Sequence, residues 1–391
     1  MTVVAVFEDL QVAVSDVLLT TDQPGGHIVT PTTGNTGNLD YPFKLSPTRM
    51  VRKYVEFTSQ CGSGMLLAAG DVSHIQKFAE NVCDIAKGKC SLPAHIEQLL
   101  KNGTPGAIAD AAVKYTEFQG YPNFELIGSA GNQQYSRTLD VTEIKILLPY
   151  FGALRAIGSG AQDVVRWLEA RAARYVESGL DGESFELKMI RAMHTLPAIL
   201  LDEDTRTTLY TISKGVGGYY ESYLMDRGKL RPVDSVLTIF ARVVGKPRDY
   251  AVEVRRLFFH LYVNDCLMVM SLFNLPKTVT FKEPLKCPLG DIELFPIQPL
   301  FGKKRKPNWR VDLLAMQAAA AKHTRLTLSR ESREGHPLMK RFFEGSQAAN
   351  RLIDLKVSSG YLVITLNKEA FDHFVSRFPS DHENPSVLRV M

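Results

Sequence analysis

Apolar residues at helical spacing, which begin at about Thr48, constrain this chain more than any other feature. In DVSHIQKFAENVCDIAKG (71–88), Ile75, Phe78, Val82 and Ile85 fall on one face, and Ser73 or Asp71 stands where an N-cap belongs. LDVTEIKILLPYFGALRAIG and GAQDVVRWLEARAARYVESG predict two more helices, divided by the glycines of GSG, the second closing at Gly179. Residues 186–275 continue as helices, with runs such as LFFHLYVNDCLMVMSLF that suit the interior of a helical lobe. Prolines crowd 276–309, which predicts a long loop. WRVDLLAMQAAAAKHTRLTL and HPLMKRFFEGSQAANRLIDL then read as helix again.

The ends break this pattern too. The first 20 residues are valine-rich and alternate apolar with polar, which predicts a strand or hairpin arm, and 21–40 is rich in turn-formers. DLKVSSGYLVITL reads as a hairpin and NKEAFDHFVSRF as a short helix capped by Asn367. The expected fold class is therefore mostly α: two helical lobes with a groove between them, an extended N-terminal arm and a small C-terminal hairpin. The expected divisions are an arm and loop over 1–45, lobes over 46–215 and 216–352, and an extension over 353–391.

Hydrophobic residues make up 45% and charged residues 23% of the 391, enough to bury a sizeable core. The five cysteines, at 61, 83, 90, 266 and 287, form no C-x-x-C pair and predict reduced thiols in an intracellular protein. No uncharged apolar run reaches the roughly 18 residues of a spanning helix, and no membrane insertion is expected.

The net charge of +4 is unevenly spread. Residues 1–100 carry 7 Lys and Arg against 10 Asp and Glu, whereas residues 300–351 carry 12 against 4, a local net of +8. Such a segment attracts anions. It opens with Lys303, Lys304, Arg305 and Lys306, followed by Trp309, and Arg325 and Arg330 follow the alanine run 318–321. Basic residues also sit within the expected helices: Arg155, Arg166 beside Trp167, and Arg206 and Lys214 about two helical turns apart. A basic groove with aromatics for stacking holds single-stranded nucleic acid, and guanidinium grips phosphate with paired hydrogen bonds. Equally, helical arginines are often solvated or paired with nearby acids. The four basic residues from Lys303 to Lys306 could also serve as a nuclear import signal.

Enzyme constellations are absent at sequence level. CGSGM and GSGAQD lack phosphate-loop spacing, and the nine histidines show no zinc pattern. Asp202, Glu203 and Asp204 read as acids favouring a helix N-terminus. Neither an enzyme nor a cofactor is expected.

The order of several segments resembles the nucleoproteins of rhabdoviruses and related nonsegmented negative-strand RNA viruses. LDYPFKLSP is similar to the family's Tyr-Pro segment, and SGMLLAAGDVSHIQKFAENV to its S-G stretch with a following helix. LLPYFGALRAIG resembles its L-x-x-L-Y-R helix, which places an RNA contact on Arg155. TRTTLYTISKG resembles its R-Y-G-T-I-V-S-R stretch and suggests Arg206 and Lys214. KKRKPNWRVDLLAMQAAAAKHTRLTLSR resembles its loop and small-residue helix and suggests Arg325 and Arg330. The resemblance implies two lobes clamping single-stranded RNA, a homo-oligomeric ring or helical nucleocapsid built by exchanged arms, and a viral polymerase cofactor (phosphoprotein) as partner. It implies a virion nucleocapsid replicated in the host cytoplasm, with the nucleus open because of Lys303–Lys306. The alternatives are a viral coat or matrix-type protein without a groove, or an enzyme of nucleic-acid metabolism using the acids at 202–204 for a metal.

Overall fold

The computed structural model describes residues 3–21, 28–32, 34–35, 46–139, 143–177, 179–206, 216–226, 229–246, 249–272, 278–279, 284–301, 305–306, 308–318, 321–331, 337–344, 353–367 and 369. Among them are twenty-four strands and six α-helices, so the expectation of a mostly α, two-lobed fold is corrected to a mostly β one.

Its centre is a pair of stacked sheets. The first has six strands in the order β11 (Ile144–Leu148), β12 (Gly152–Ile157), β1 (Val4–Phe7), β2 (Val12–Asp16), β13 (Tyr220–Asp226) and β14 (Lys229–Pro232). The second has four, in the order β10 (Gln133–Arg137), β9 (Phe124–Ala130), β8 (Gly62–Gly70) and β7 (Tyr54–Ser59). Val4, Val6, Ala13, Tyr223 and Met225 of the first sheet pack against Tyr54, Leu67, Ala69 and Ile127 of the second. Ala5, Phe7, Val12 and Val14 point the other way, onto α4 (Ala161–Glu177) and α5 (Phe185–Arg206). Alternation along each strand thus sends one set of side chains between the sheets and the other onto helices. On the outer face of the four-stranded sheet lie α1 (Val72–Ala86) and α3 (Pro105–Phe118), with Ile75, Phe78, Val82 and Ile108 against Val55, Leu66 and Phe124. The short α2 (Ala94–Glu97) lies between those two helices in sequence. The result is helix, sheet, sheet, helix.

Around this sandwich runs a nine-stranded sheet. It contains β15 (Val236–Lys246), β16 (Asp249–Val263), β17 (Cys266–Leu272), β20 (Glu293–Pro299), β21 (His323–Glu331) and β22 (Pro337–Glu344). Two early strands, β3 (Leu18–Thr21) and β6 (Ser46–Arg52), complete its far edge, and β18 (Thr278–Val279) pairs with β16. The α6 helix (Trp309–Ala318) follows β20. The C-terminal hairpin, β23 (Ile353–Ser358) and β24 (Tyr361–Leu366), adds β19 (Leu285–Pro288), and β4 (Val29–Thr30) pairs with β5 (Gly34–Asn35). Chain segments on either side of residues 45 and 215 share sheets: β3 pairs with β6, and β2 with β13.

The helical pattern held where caps marked it. Asp71 caps α1, accepting from the Ser73 and His74 amides, and α4 is followed by Gly179 at φ +71°. The helices expected over 186–275 hold for the first part, α5, whereas other apolar runs folded as strands. In 139–158, Pro149 and Gly152 (φ +77°) turn the chain and β11 pairs with β12. In LFFHLYVNDCLMVMSLF, Asn264 and Asp265 both take positive φ, 49° and 63°, the geometry of a two-residue hairpin turn, and Val263 faces Cys266. The proline-rich 276–309 contains β20, where Pro296 lies opposite Met268. The helix expected over 309–328 stops at Ala318, and PLMKRFFE is strand β22. The valine-rich start is a hairpin, as its alternation suggested, but it is the middle of a sheet and not a free arm. Within 21–40 the described residues Thr30 and Thr32 are buried, so that part is not an exposed loop. The helix expected over 367–378 lies outside the described residues except at its edge. All five cysteines are free thiols. Among the described residues no helix is long and apolar enough to cross a membrane.

Removing the α1 cap with Asp71→Ala should cost about 1 kcal/mol, seen as a lower urea midpoint at unchanged slope.

Candidate active site

The expected RNA contacts are spread over separate elements. Arg155, on β12, pairs with Glu8 at 2.6 Å and Glu143 at 3.5 Å and donates to Ser136 Oγ. Arg166, exposed on α4, pairs with Asp163 at 2.9 Å. Arg305 is ion-paired with Asp312, and its backbone is held at both N–H and C=O by the Gln298 amide. Lys306 is exposed. Arg325 is 0% exposed. Its Nε donates to His194 Nδ1 at 3.1 Å and its Nη2 to Ser222 Oγ at 2.8 Å, so it belongs to the core and not to a surface groove. Arg206 ends α5 and Arg330 lies in β21, with side chains outside the described residues, as are Lys214, Lys303 and Lys304 altogether. Asp202 and Asp204 close α5 at its C-terminal end, opposite to the expected N-terminal place. Among the described residues no group of three or more His, Cys, Asp or Glu is placed to hold a metal.

A different cluster, which the sequence reading missed, stands at the start of the chain. Asp16, the last residue of β2, holds Val3 by both backbone groups: its N–H donates to Val3 O at 3.2 Å, and its Oδ1 accepts the Val3 N–H at 3.0 Å. The same Oδ1 accepts Lys53 Nζ at 2.8 Å, a buried ion pair with side chains 0% and 3% exposed. Lys53 follows β6 directly, and its carbonyl accepts the Ala68 N–H of β8 at 2.9 Å. Burial pushes the Lys53 amine below its ordinary value, and the Asp16 carboxylate pulls it partly back. A buried lysine gives up its proton more readily than an exposed one, whereas an arginine stays charged.

Glycines let the backbone close on this pair. Gly217 (φ +128°) donates its N–H to Asp16 Oδ2 at 3.2 Å, and a Cβ there would lie 2.6 Å from Asp204 Oδ1. Asp204 Oδ2 in turn accepts the Gly218 N–H at 3.0 Å and the Thr32 hydroxyl at 2.8 Å. A Cβ on Gly160 would sit 3.0 Å from Val3 Cβ and 2.8 Å from Val216 Cγ2, so the turn leading into α4 abuts Val3. The N-terminus of α4, with its partial positive charge, starts one residue later.

The Val3 amide nitrogen carries the peptide bond to Thr2. Thr2 itself lies outside the described residues, but that bond, about 1.3 Å long, ties its hydroxyl-bearing residue to a buried lysine–aspartate pair. A buried amine, an orienting carboxylate and a helix N-terminus are among the parts of a site that activates an oxygen nucleophile. The signal in the sequence was charge inside apolar strand: Asp16 in VAVSDVLL, and Arg52 and Lys53 in MVRKYVEF. Neighbouring residues of extended chain face opposite ways, so two consecutive bases at the end of a buried strand must each find a buried partner.

No protein-family model, curated protein or solved structure matches this chain.

Lys53→Met should cost about 3–5 kcal/mol by stranding the Asp16 carboxylate. Combining it with Asp16→Asn should cost less than the two singles summed, as urea unfolding of the four proteins would measure. The Arg325 core adds a pH dependence. Val233 O can only accept, so His260 Nε2 carries the proton and Nδ1 accepts from Tyr219. Burial first, then the Arg325 charge, push His260 down to about 3. The unfolded chain therefore takes up a proton that the native one refuses between pH 6.5 and 3. Stability should be full above pH 6.5 and fall by up to about 1.4 kcal/mol per pH unit below it. Urea midpoints across that range, with His260→Gln showing the shallower slope, check this.

Proposed function

We propose that the chain is an acyl-transfer hydrolase, acting on an amide or activated ester, whose nucleophile is the Thr2 hydroxyl made available by cleavage of the Met1–Thr2 bond. The observation that carries this is the buried Lys53–Asp16 pair hydrogen-bonded to the Val3 amide. Once freed, the Thr2 amine takes the hydroxyl proton as the oxygen adds to the substrate carbonyl. The Lys53 ammonium, held by Asp16, favours the alkoxide, and the positive end of α4 beside Val3 suits the developing oxyanion. Return of the proton to the leaving group gives an ester on Thr2, which water then cleaves.

A second reading, sequence-independent binding of single-stranded RNA as in an encapsidating nucleoprotein, is favoured by one feature. Lys306 is exposed, and Trp309 is 44% exposed, where Gln298 holds Arg305 and Asp312 holds Asn308. The groove between helical lobes that this reading required is not part of the mostly β fold.

Periodate converts an amino-terminal threonine to an aldehyde, so capture by an aminooxy dye reports the freed Thr2, and a β-lactone probe on a separate, unoxidised sample reports its acylation. One ester per chain is expected on Thr2, retained in Thr2→Ser, lost in Thr2→Ala, and slowed about 10²-fold or more in Lys53→Met. Wild-type protein with a free Thr2 that acylates no faster than Thr2→Ala would reject the reading. Purified protein carrying RNA, with a high 260 to 280 nm absorbance ratio, would support the second.

A further inference from the structure

Lys53 is preceded by another buried base, Arg52, 2% exposed, which the hydrolase reading leaves without a role. Its Nε donates to Glu221 Oε1 at 2.6 Å, and Nη1 donates to the Asp265 carbonyl at 2.6 Å. Its guanidinium carbon lies 4.6 Å from the Tyr54 ring centre and 4.5 Å from that of Tyr262. The Tyr262 hydroxyl donates to the same Glu221 oxygen at 2.9 Å. The Arg52 backbone is held as well: its carbonyl accepts the Leu300 N–H at 3.0 Å, and Pro299 of β20 stands beside it in register.

Every one of these contacts except Tyr54 and Glu221 comes from the surrounding sheet: Tyr262 from β16, Asp265 from the β16–β17 turn, Leu300 from the end of β20. Glu221 belongs to β13 and lies opposite Ser15, one residue from the pairing of Tyr220 with Asp16. Asp16 and Glu221 therefore face opposite sides of the six-stranded sheet, as do the Lys53 and Arg52 that pair with them. Fixing the Arg52 fork fixes the rotation of the chain at 52–53, and with it the approach of the Lys53 amine to Asp16.

The geometry points to Arg52 as a positioning residue for Lys53, through which the β16–β17 turn and the end of β20 set the geometry of the candidate active site. We infer that acylation at Thr2 depends on this outer sheet through the Arg52 anchor. The inference rests on the hydrolase reading.

The test is β-lactone acylation of Thr2 in the full chain, resolved into its maximal rate and its half-saturating concentration. Arg52→Lys keeps the charge on Glu221 but loses the fork to Asp265, and Tyr262→Phe removes one hydroxyl, so both should stay folded where Arg52→Met fails to. Arg52→Lys should lower the maximal rate by on the order of tenfold to a hundredfold, at unchanged half-saturation and unchanged periodate reactivity of Thr2. Tyr262→Phe should lower it less. Folded Arg52→Lys acylating at the wild-type maximal rate overturns the inference while leaving the hydrolase reading intact. A wild-type protein that is not acylated overturns both.

Discussion

Both faces of the six-stranded sheet are covered, one by the second sheet and the other by α4 and α5, so no polar group on its middle strands can reach water. Ser15, Asp16, Glu221 and Ser222 lie there on β2 and β13, all at 0% exposure. Each must be satisfied from within the protein, because an unpaired buried carboxylate costs several kcal/mol out of a total stability of about 5–15. The satisfying groups come from three places. Lys53 serves Asp16, Arg52 serves Glu221, and Arg325 donates to the Ser222 hydroxyl, which itself donates to Met193 O. The outer sheet supplies the last two of these, Arg52 from β6 and Arg325 from β21. The polar row of the inner sheet thus dictates where the outer sheet must lie.

That dependence explains which parts of the fold the sequence made legible. α1 and α4 could be read because each is amphipathic and carries a stop or start signal, Asp71 for one and Gly179 for the other. The hairpins at both ends could be read because their alternation is regular. The β15–β17 region could not, since strands buried on both faces lose their period of two and become continuous apolar runs, indistinguishable by periodicity from a buried helix. In Leu257–Phe273 the deciding signal was two residues long, Asn264–Asp265, whose tolerance of positive φ marks a hairpin turn. Pro149 and Gly152 mark the turn between β11 and β12 in the same way.

The site was hidden for a related reason. Summed charge directs attention to where bases outnumber acids along the chain, but partners are chosen in space. Arg155 lies 147 residues from Glu8 in sequence and 2.6 Å from it in the fold. Arg325 ends in the core beside α5 because β21 pairs in parallel with β15, a contact that no local pattern encodes. The informative charges were the few set within apolar strand, Asp16, Arg52 and Lys53, which burial makes costly and which therefore persist only where the structure answers them.

The order of the two buried bases follows from their chemistry. Arg52 must hold a carboxylate, a carbonyl and two aromatic rings at once, which suits a flat fork that stays charged under all conditions. Lys53 reaches a single carboxylate oxygen beside the chain's start, and burial lowers its affinity for its proton. Exchanging them would place a fork where one carboxylate oxygen is to be met and a single-point donor where a fork is needed. A permanently charged anchor thus holds the buried Lys53–Asp16 pair in register, with the rigidity supplied from outside the sandwich.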